Sequence, residues 1–281
     1  MSAATPEPRR DLLAALTTRA RAVRAATVRM AHDGKTPHVG SALSAVDVLV
    51  ALYFHAMRID PTHGGAPDDD QFVLSKGHGC MSYYATLAER GYFPATLLAS
   101  YAQNGGALPE HPTPGQIPGI RVATGSLGHG LAIAAGMAHA RQLDRRPGRV
   151  FTLLSDGECN EGTVWEAAMF AAGRRLDGLV AIVDYNKLQA MGRSNEVTAL
   201  APLADKWRAF GWGTVELDGH DLDAVVAALD RVPFEPGKPS AIVAHTVKGK
   251  GVSFMEDDLE WHYRPPNDAD LARALAELGV A

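Results

Sequence analysis

Asp156 and Asn186 are the residues whose types and spacing most clearly suggest chemistry. They stand 30 positions apart, each just beyond an apolar run, at 150–154 and 179–183, with one helical stretch between the runs. That is the size of one βαβ unit, whose right-handed crossover leaves both strand ends at the same edge of the sheet. Open α/β sheets bind ligands outside the carboxyl ends of their strands. A carboxylate and a carboxamide converging there offer hard oxygens suited to Mg²⁺, which completes its shell with phosphate oxygens and water. Gly157 and Gly162 leave the backbone free to approach phosphates, and the amides of the helix that follows can face the charge. Taken alone, Asp156 equally suits a helix cap and Asn186 a turn, and the rest of the chain must decide.

A sheet is needed to bring those positions together. Of the 281 residues, 46% are apolar, 21% charged and 7% aromatic, an ordinary globular composition with enough length for a sizeable core. Helical spacing runs over 11–31, and a second helix is expected from a cap at Ser44 through residue 57. Further helices are expected at 79–90, 95–103, 164–174, 203–210, 223–229 and 269–278. Strands are expected at 150–154, 179–183, 214–217 and 241–244, and a short apolar run stands at 72–74. Residues 104–126, rich in Gly and Pro, read as a long irregular loop of a kind that is usually functional or disordered. Apolar strands alternating with helices predict an α/β fold, a single doubly wound parallel sheet with helices on both faces.

No repeat or linker divides the chain. One domain is therefore expected over 1–281, with a polar lead at 1–10 and a C-terminal helical tail within 268–281. The net charge of −5 gives no basic footprint for nucleic acid. The aliphatic runs are far short of a membrane span, and no secretory leader is visible. Cys80 and Cys159 cannot build a disulfide framework, which fits a cytoplasmic location. Of the eleven histidines, His63 and His220 lie in polar loops and are expected to be solvated.

Ser155-Asp156-Gly157-Glu158-Cys159-Asn160-Glu161-Gly162 through Asp184-Tyr185-Asn186-Lys187 resembles the thiamine-diphosphate signature, with Ser155 where that signature usually has Gly. His38-Val39-Gly40-Ser41, Ser75-Lys76-Gly77-His78-Gly79, Pro109-Glu110-His111-Pro112 and Thr124-Gly125-Ser126-Leu127-Gly128-His129-Gly130 narrow the resemblance to the transketolases. His245-Thr246-Val247-Lys248-Gly249-Lys250-Gly251, followed by Trp261-His262, completes the order. The resemblance covers the chain from about residue 21 to 262 and implies the thiamine-diphosphate-binding fold.

It also implies roles. Asp156, Asn186 and the backbone carbonyl of Leu188 would hold Mg²⁺ between the two cofactor phosphates. His78, Gly157, Lys248 and His262, with Asn186, would contact the diphosphate region. Gly125, Ser126 and Leu127 would line the cofactor cavity, with Ser41 near the thiazolium. His38, His111 and His262 would surround the reacting carbon of a ketose donor, where an imidazole can give or take a proton. Donor cleavage would leave a two-carbon adduct on the cofactor that attacks an aldose acceptor. Glutamates matching Glu161 and Glu166 link the two active sites of a transketolase dimer.

Full-length transketolases continue into further domains that supply the glutamate driving ylid formation and most of the substrate-phosphate site. The resemblance therefore implies the N-terminal subunit of a split transketolase, inactive alone and paired with a C-terminal subunit in a heterotetramer of two plus two. Sugars or sugar phosphates would be the substrates. Ser75-Lys76-Gly77-His78 and 124–130 disfavour a 1-deoxyxylulose-5-phosphate synthase-like subunit or a 2-oxoacid dehydrogenase alpha-like subunit. The intact Asp156, Asn186 and four site histidines disfavour a non-catalytic partner-binding relative.

Overall fold

Alternation along a strand sends successive apolar residues to opposite faces of a sheet. The computed structural model describes residues 7–63, 66–115 and 117–280, with Glu7 and His63 described by their backbone alone. In it, β1 (Gln71–Leu74), β2 (Val150–Ser155), β3 (Leu179–Tyr185), β4 (Gly213–Asp218) and β5 (Ser240–His245) form an all-parallel sheet ordered β1-β2-β3-β5-β4. Phe151, Leu153, Val180, Ile182 and Ile242 face one side. They pack in one core with α1 (Glu7–Gly34), α2 (Val39–Ser44), α3 (Val46–Ala51), α4 (Cys80–Arg90), and, later in the chain, the helices at Leu222–Leu229 and Asp268–Glu277. Val150, Leu154, Leu179, Ala181, Val183 and Val243 face the other side. Their core contains α5 (His129–Leu143), α6 (Gly162–Gly173) and, beyond the short α7 (Ser194–Val197), α8 (Leu203–Ala209). The two late helices of the first layer are α9 and α10. Both faces of the sheet are covered, as a doubly wound sheet requires.

Three details depart from expectation. Ser44 does not cap a helix running to residue 57. It closes α2, whose N-cap is His38, and the chain continues through α3 into a π turn at Leu52–Ala56. The Ser44 hydroxyl is drawn inward instead, 2.6 Å from Asp184 Oδ2. The segment 95–103 forms only a 3₁₀ helix at Ala95–Ser100, none of whose residues is buried, and the backbone turns extended at the buried Tyr101. His220 is half-buried rather than solvated: Nδ1 lies 2.8 Å from Asp47 Oδ2, and Val247 N–H donates to Nε2 at 2.8 Å. Of the polar lead, residues 1–6 lie outside the described residues and 7–10 already belong to α1, and the exposure expected of His63 also lies outside.

The register positions the chemistry. β2 and β3 pair directly, with Ser155 opposite Asp184, so Asp156 and Asn186 leave adjacent strands at the same edge. The segment after β5, carrying Thr246 and Lys248, emerges beside β3. Ser155 ends β2 without the positive φ that would have demanded Gly.

Candidate active site

At the carboxyl edge lies a cavity of about 500 Å³. His38, Ser41, His78, His111, Gly125, Leu127, Asp156, Gly157, Asn186, Leu188 and His262 all line it. These come from separated segments of the chain, so the sheet edge gathers most of the residues singled out from the sequence. Two are placed differently. Ser126 is solvent-exposed on the rim, and Lys248 is fully buried beneath the cavity.

Asp156 is buried and well tethered. Oδ1 accepts from Gly157 N–H at 2.8 Å, while Oδ2 accepts from Lys187 N–H at 2.8 Å and the Ser194 hydroxyl at 2.7 Å. Burial pushes its carboxyl above the ordinary value and the nearby Asp184 charge adds to this, partly offset by Ser194 and Gly157. Asn186 Oδ1 accepts from Leu188 N–H at 3.0 Å, a turn that folds Leu188 back over the strand end. The Leu188 carbonyl accepts from Lys248 Nζ at 3.1 Å. A carboxylate has about four acceptor sites and each carbonyl has two. Asp156 Oδ2 is filled by its two donors, whereas Asp156 Oδ1, Asn186 Oδ1 and the Leu188 carbonyl each accept one bond and keep a free lone pair, and a carboxylate, a carboxamide and a carbonyl form the donor set a hard divalent cation takes.

Three imidazoles stand together: His38–His78 centroids are 5.3 Å apart, His38–His262 4.9 Å and His78–His262 6.2 Å. His38 sits in the left-handed region, φ 75° and ψ 12°, an uncommon conformation for this residue type, held by its N–H donating to the His262 carbonyl at 2.8 Å. Burial, with His111 and Lys248, lowers His38 to about 4. Burial, with Lys248 and His38, lowers His262 to about 3. Burial also drives His78 well below its ordinary value. All three are neutral at pH 7, able to accept at one nitrogen and donate at the other. His38 Nδ1 is buried and has no hydrogen-bond partner among the described residues. The His111 ring packs on Gly125, where φ is 150° and an added Cβ would lie 2.9 Å from the ring.

Lys248 contacts His262 Nδ1 at 2.7 Å. Burial, with Lys76, lowers its ammonium to about 8, against the pull of Asp156 and Asp184. A protonated Lys248 can only donate, so His262 must accept at Nδ1 and carry its proton at Nε2.

The polar layer below carries residues whose role was not readable from the motifs. Asp184, fully buried at the end of β3, accepts from Lys76 Nζ at 2.5 Å, from Ser44 and from Thr246. Burial opposes its charge, but Lys76 and the hydroxyls outweigh this and hold its carboxyl below the ordinary value. Lys76 Nζ also donates to the Ser41 carbonyl at 2.8 Å, and Asn186 Nδ2 donates to Ser44 Oγ at 3.4 Å. A charged residue inside an apolar strand run was the available signal, because a buried charge must find a partner.

The model of the transketolase thiamine-diphosphate-binding domain matches residues 15–281. The chain belongs to the transketolase family. It is 49% identical over 241 residues to the 6-deoxy-6-sulfo-D-fructose transketolase subunit SqwG of a Clostridium species, covering 86% of this chain and 88% of the relative. It is 38% identical over 251 residues to an apulose-4-phosphate transketolase subunit of Phocaeicola vulgatus, covering 89% of each. Among solved structures, Leishmania mexicana transketolase superposes with a TM-score of 0.88 at 27% identity, covering 94% of this chain. This chain spans 41% of that transketolase. Family membership makes the cavity at the sheet edge part of a thiamine-diphosphate-binding domain.

Proposed function

We propose that this chain is the N-terminal subunit of a two-component transketolase. With a C-terminal partner subunit it would transfer a two-carbon ketol unit from a ketose donor to an aldose acceptor. Relatives of similar length are named as transketolase subunits, which supports the need for a partner, and we extend this to an assembly of two plus two. The observation that carries the proposal is the convergence of Asp156, Asn186 and Leu188 with four histidines in one cavity.

In this scheme Asp156 Oδ, Asn186 Oδ1 and the Leu188 carbonyl hold Mg²⁺, and thiamine diphosphate supplies carbanion chemistry when bound. His78, Gly157 and Asn186 flank the diphosphate, with Lys248 acting from beneath through the Leu188 carbonyl and His262. Gly125 and Leu127 form one wall with the exposed Ser126 between them, and Ser41 lies toward the ring end. His38, His111 and His262 face the donor's hydroxyls and move protons there, His262 giving from Nε2. One domain over 1–281 serves this purpose, and the free buried Cys80 and Cys159 support a cytoplasmic location.

The relatives' names specify a sulfonated and a phosphorylated sugar, and we propose a ketose with such an anionic end. Among the described residues no Lys or Arg lines the cavity, which supports recognition of that end by the partner. The test is to reconstitute the chain with a C-terminal transketolase subunit, then supply ketose donors carrying phosphate or sulfonate. Aldose-dependent donor consumption by the pair, and none by either chain alone, is the expected result. Pyruvate consumption, or full activity from this chain alone, overturns the proposal.

A further inference from the structure

Glu158 lies two residues beyond Asp156, is fully buried, and does not line the cavity. Its carboxylate nevertheless gathers three segments that do contribute to the cavity. Oε1 accepts from the Ser75 hydroxyl, at the start of the segment carrying His78, and from Gly128 N–H at 2.8 Å, at the end of the segment carrying Gly125 and Leu127. Oε2 accepts from Ser155 N–H at 3.2 Å, in the segment carrying Asp156 and Gly157, while the Glu158 N–H donates back to Ser155 Oγ at 3.3 Å.

The segments so joined are already in close backbone contact. A Cβ on Gly77 would lie 2.8 Å from the Thr124 carbonyl, and one on Gly130 would lie 2.6 Å from Ser75 Cα. An acceptor-only group with two oxygens suits three converging donors. A carboxamide would turn an NH₂ toward Ser155 N–H, and a methyl would leave all three donors buried without a partner.

We propose that Glu158 is a positioning residue for the cofactor: it clamps the walls of the cavity around a ligand that it never touches. The link to cofactor affinity rests on the assignment of the cavity to thiamine diphosphate, whereas the clamp itself does not.

Two measurements test this, hydrogen exchange on the purified chain and calorimetry on the reconstituted pair, using Glu158→Gln and the milder Ser75→Ala, which removes one donor and keeps the carboxylate. Hydrogen exchange without cofactor is expected to show faster exchange at residues 126–130 in both variants, with α8 and β5 protected as in the wild type. Calorimetric titration of the chain reconstituted with a C-terminal transketolase subunit, with thiamine diphosphate in saturating Mg²⁺, is expected to show a Kd raised about 10- to 100-fold in Glu158→Gln, and less in Ser75→Ala. Unchanged exchange at 126–130 in both variants overturns the clamp. Faster exchange with an unchanged Kd overturns the positioning role. A wild-type reconstituted pair that takes up no thiamine diphosphate overturns the cofactor assignment and the positioning role with it, while the exchange comparison still decides the clamp.

Discussion

Replacing Lys76 by Met removes the ammonium bonded to Asp184 and leaves that carboxylate buried with the hydroxyls of Ser44 and Thr246. Both side chains of the pair have no solvent exposure, so water cannot compensate without opening the layer under the site. Breaking a fully buried pair by removing one partner typically costs about 3–5 kcal/mol. The two remaining hydroxyl donors place the expected loss near the lower end, about 3 kcal/mol, or roughly 6–12 °C in Tm for a chain of this size. Urea unfolding of wild type, Lys76→Met, Asp184→Asn and the double variant gives the coupling. The double variant should cost less than the two single changes added together, by at least about 1 kcal/mol. A loss below about 1 kcal/mol in Lys76→Met, the scale of an exposed pair, would refute the claim that this pair is dry. The sign of the pH dependence follows from the lowered Asp184 carboxyl. Its stabilisation is complete above the ordinary aspartate value and is lost as pH falls through the lower value of the folded state, and the acid loss should shrink in Asp184→Asn.

The neutral histidine cluster acts at milder pH. His38 and His262, lowered to about 4 and about 3, bind protons less readily folded than unfolded, so stability should fall as pH drops from about 6.5 toward 4. Unfolding midpoints across that range should show a shallower slope in His38→Gln, and an unchanged slope would contradict the role given to burial. Gly77→Ala drives a methyl into the Thr124 carbonyl at 2.8 Å. It should weaken thiamine diphosphate binding by calorimetry more than it lowers Tm, whereas equal binding would show that the 124–128 wall can move freely. His111→Ala should leave cofactor affinity nearly intact and lower kcat/KM for the ketose donor in the reconstituted pair, and a comparable loss of cofactor binding would place His111 in the wrong role.

The sheet was legible because its signal is local. Continuous apolar runs such as 179–183 are what a strand covered on both faces requires, and β2, β3 and β5 extend one or two residues beyond the runs read from sequence. The expectation that Asp156 and Asn186 share an edge followed from chain length and crossover handedness, and the pairing of β2 with β3 meets it. Ser44 was misread because capping is a local preference, while its hydroxyl is claimed by Asp184, 140 positions away. His220 was misread for the same reason, being held by Asp47 from α3 and by Val247 after β5. Glu158 and Lys76 both lay inside segments quoted for their resemblance. Their function as buried ties emerges only when the strand ends are assembled, because their partners lie at residues 75, 128 and 184.

A crystal structure of the chain with thiamine diphosphate and Mg²⁺ bears most directly on the metal site. The ion is expected in octahedral coordination at about 2.0–2.1 Å from Asp156 Oδ, Asn186 Oδ1 and the Leu188 carbonyl, with diphosphate oxygens and water completing its shell. An ion held elsewhere, or a diphosphate bound in the cavity with those three oxygens turned away from it, would contradict the account.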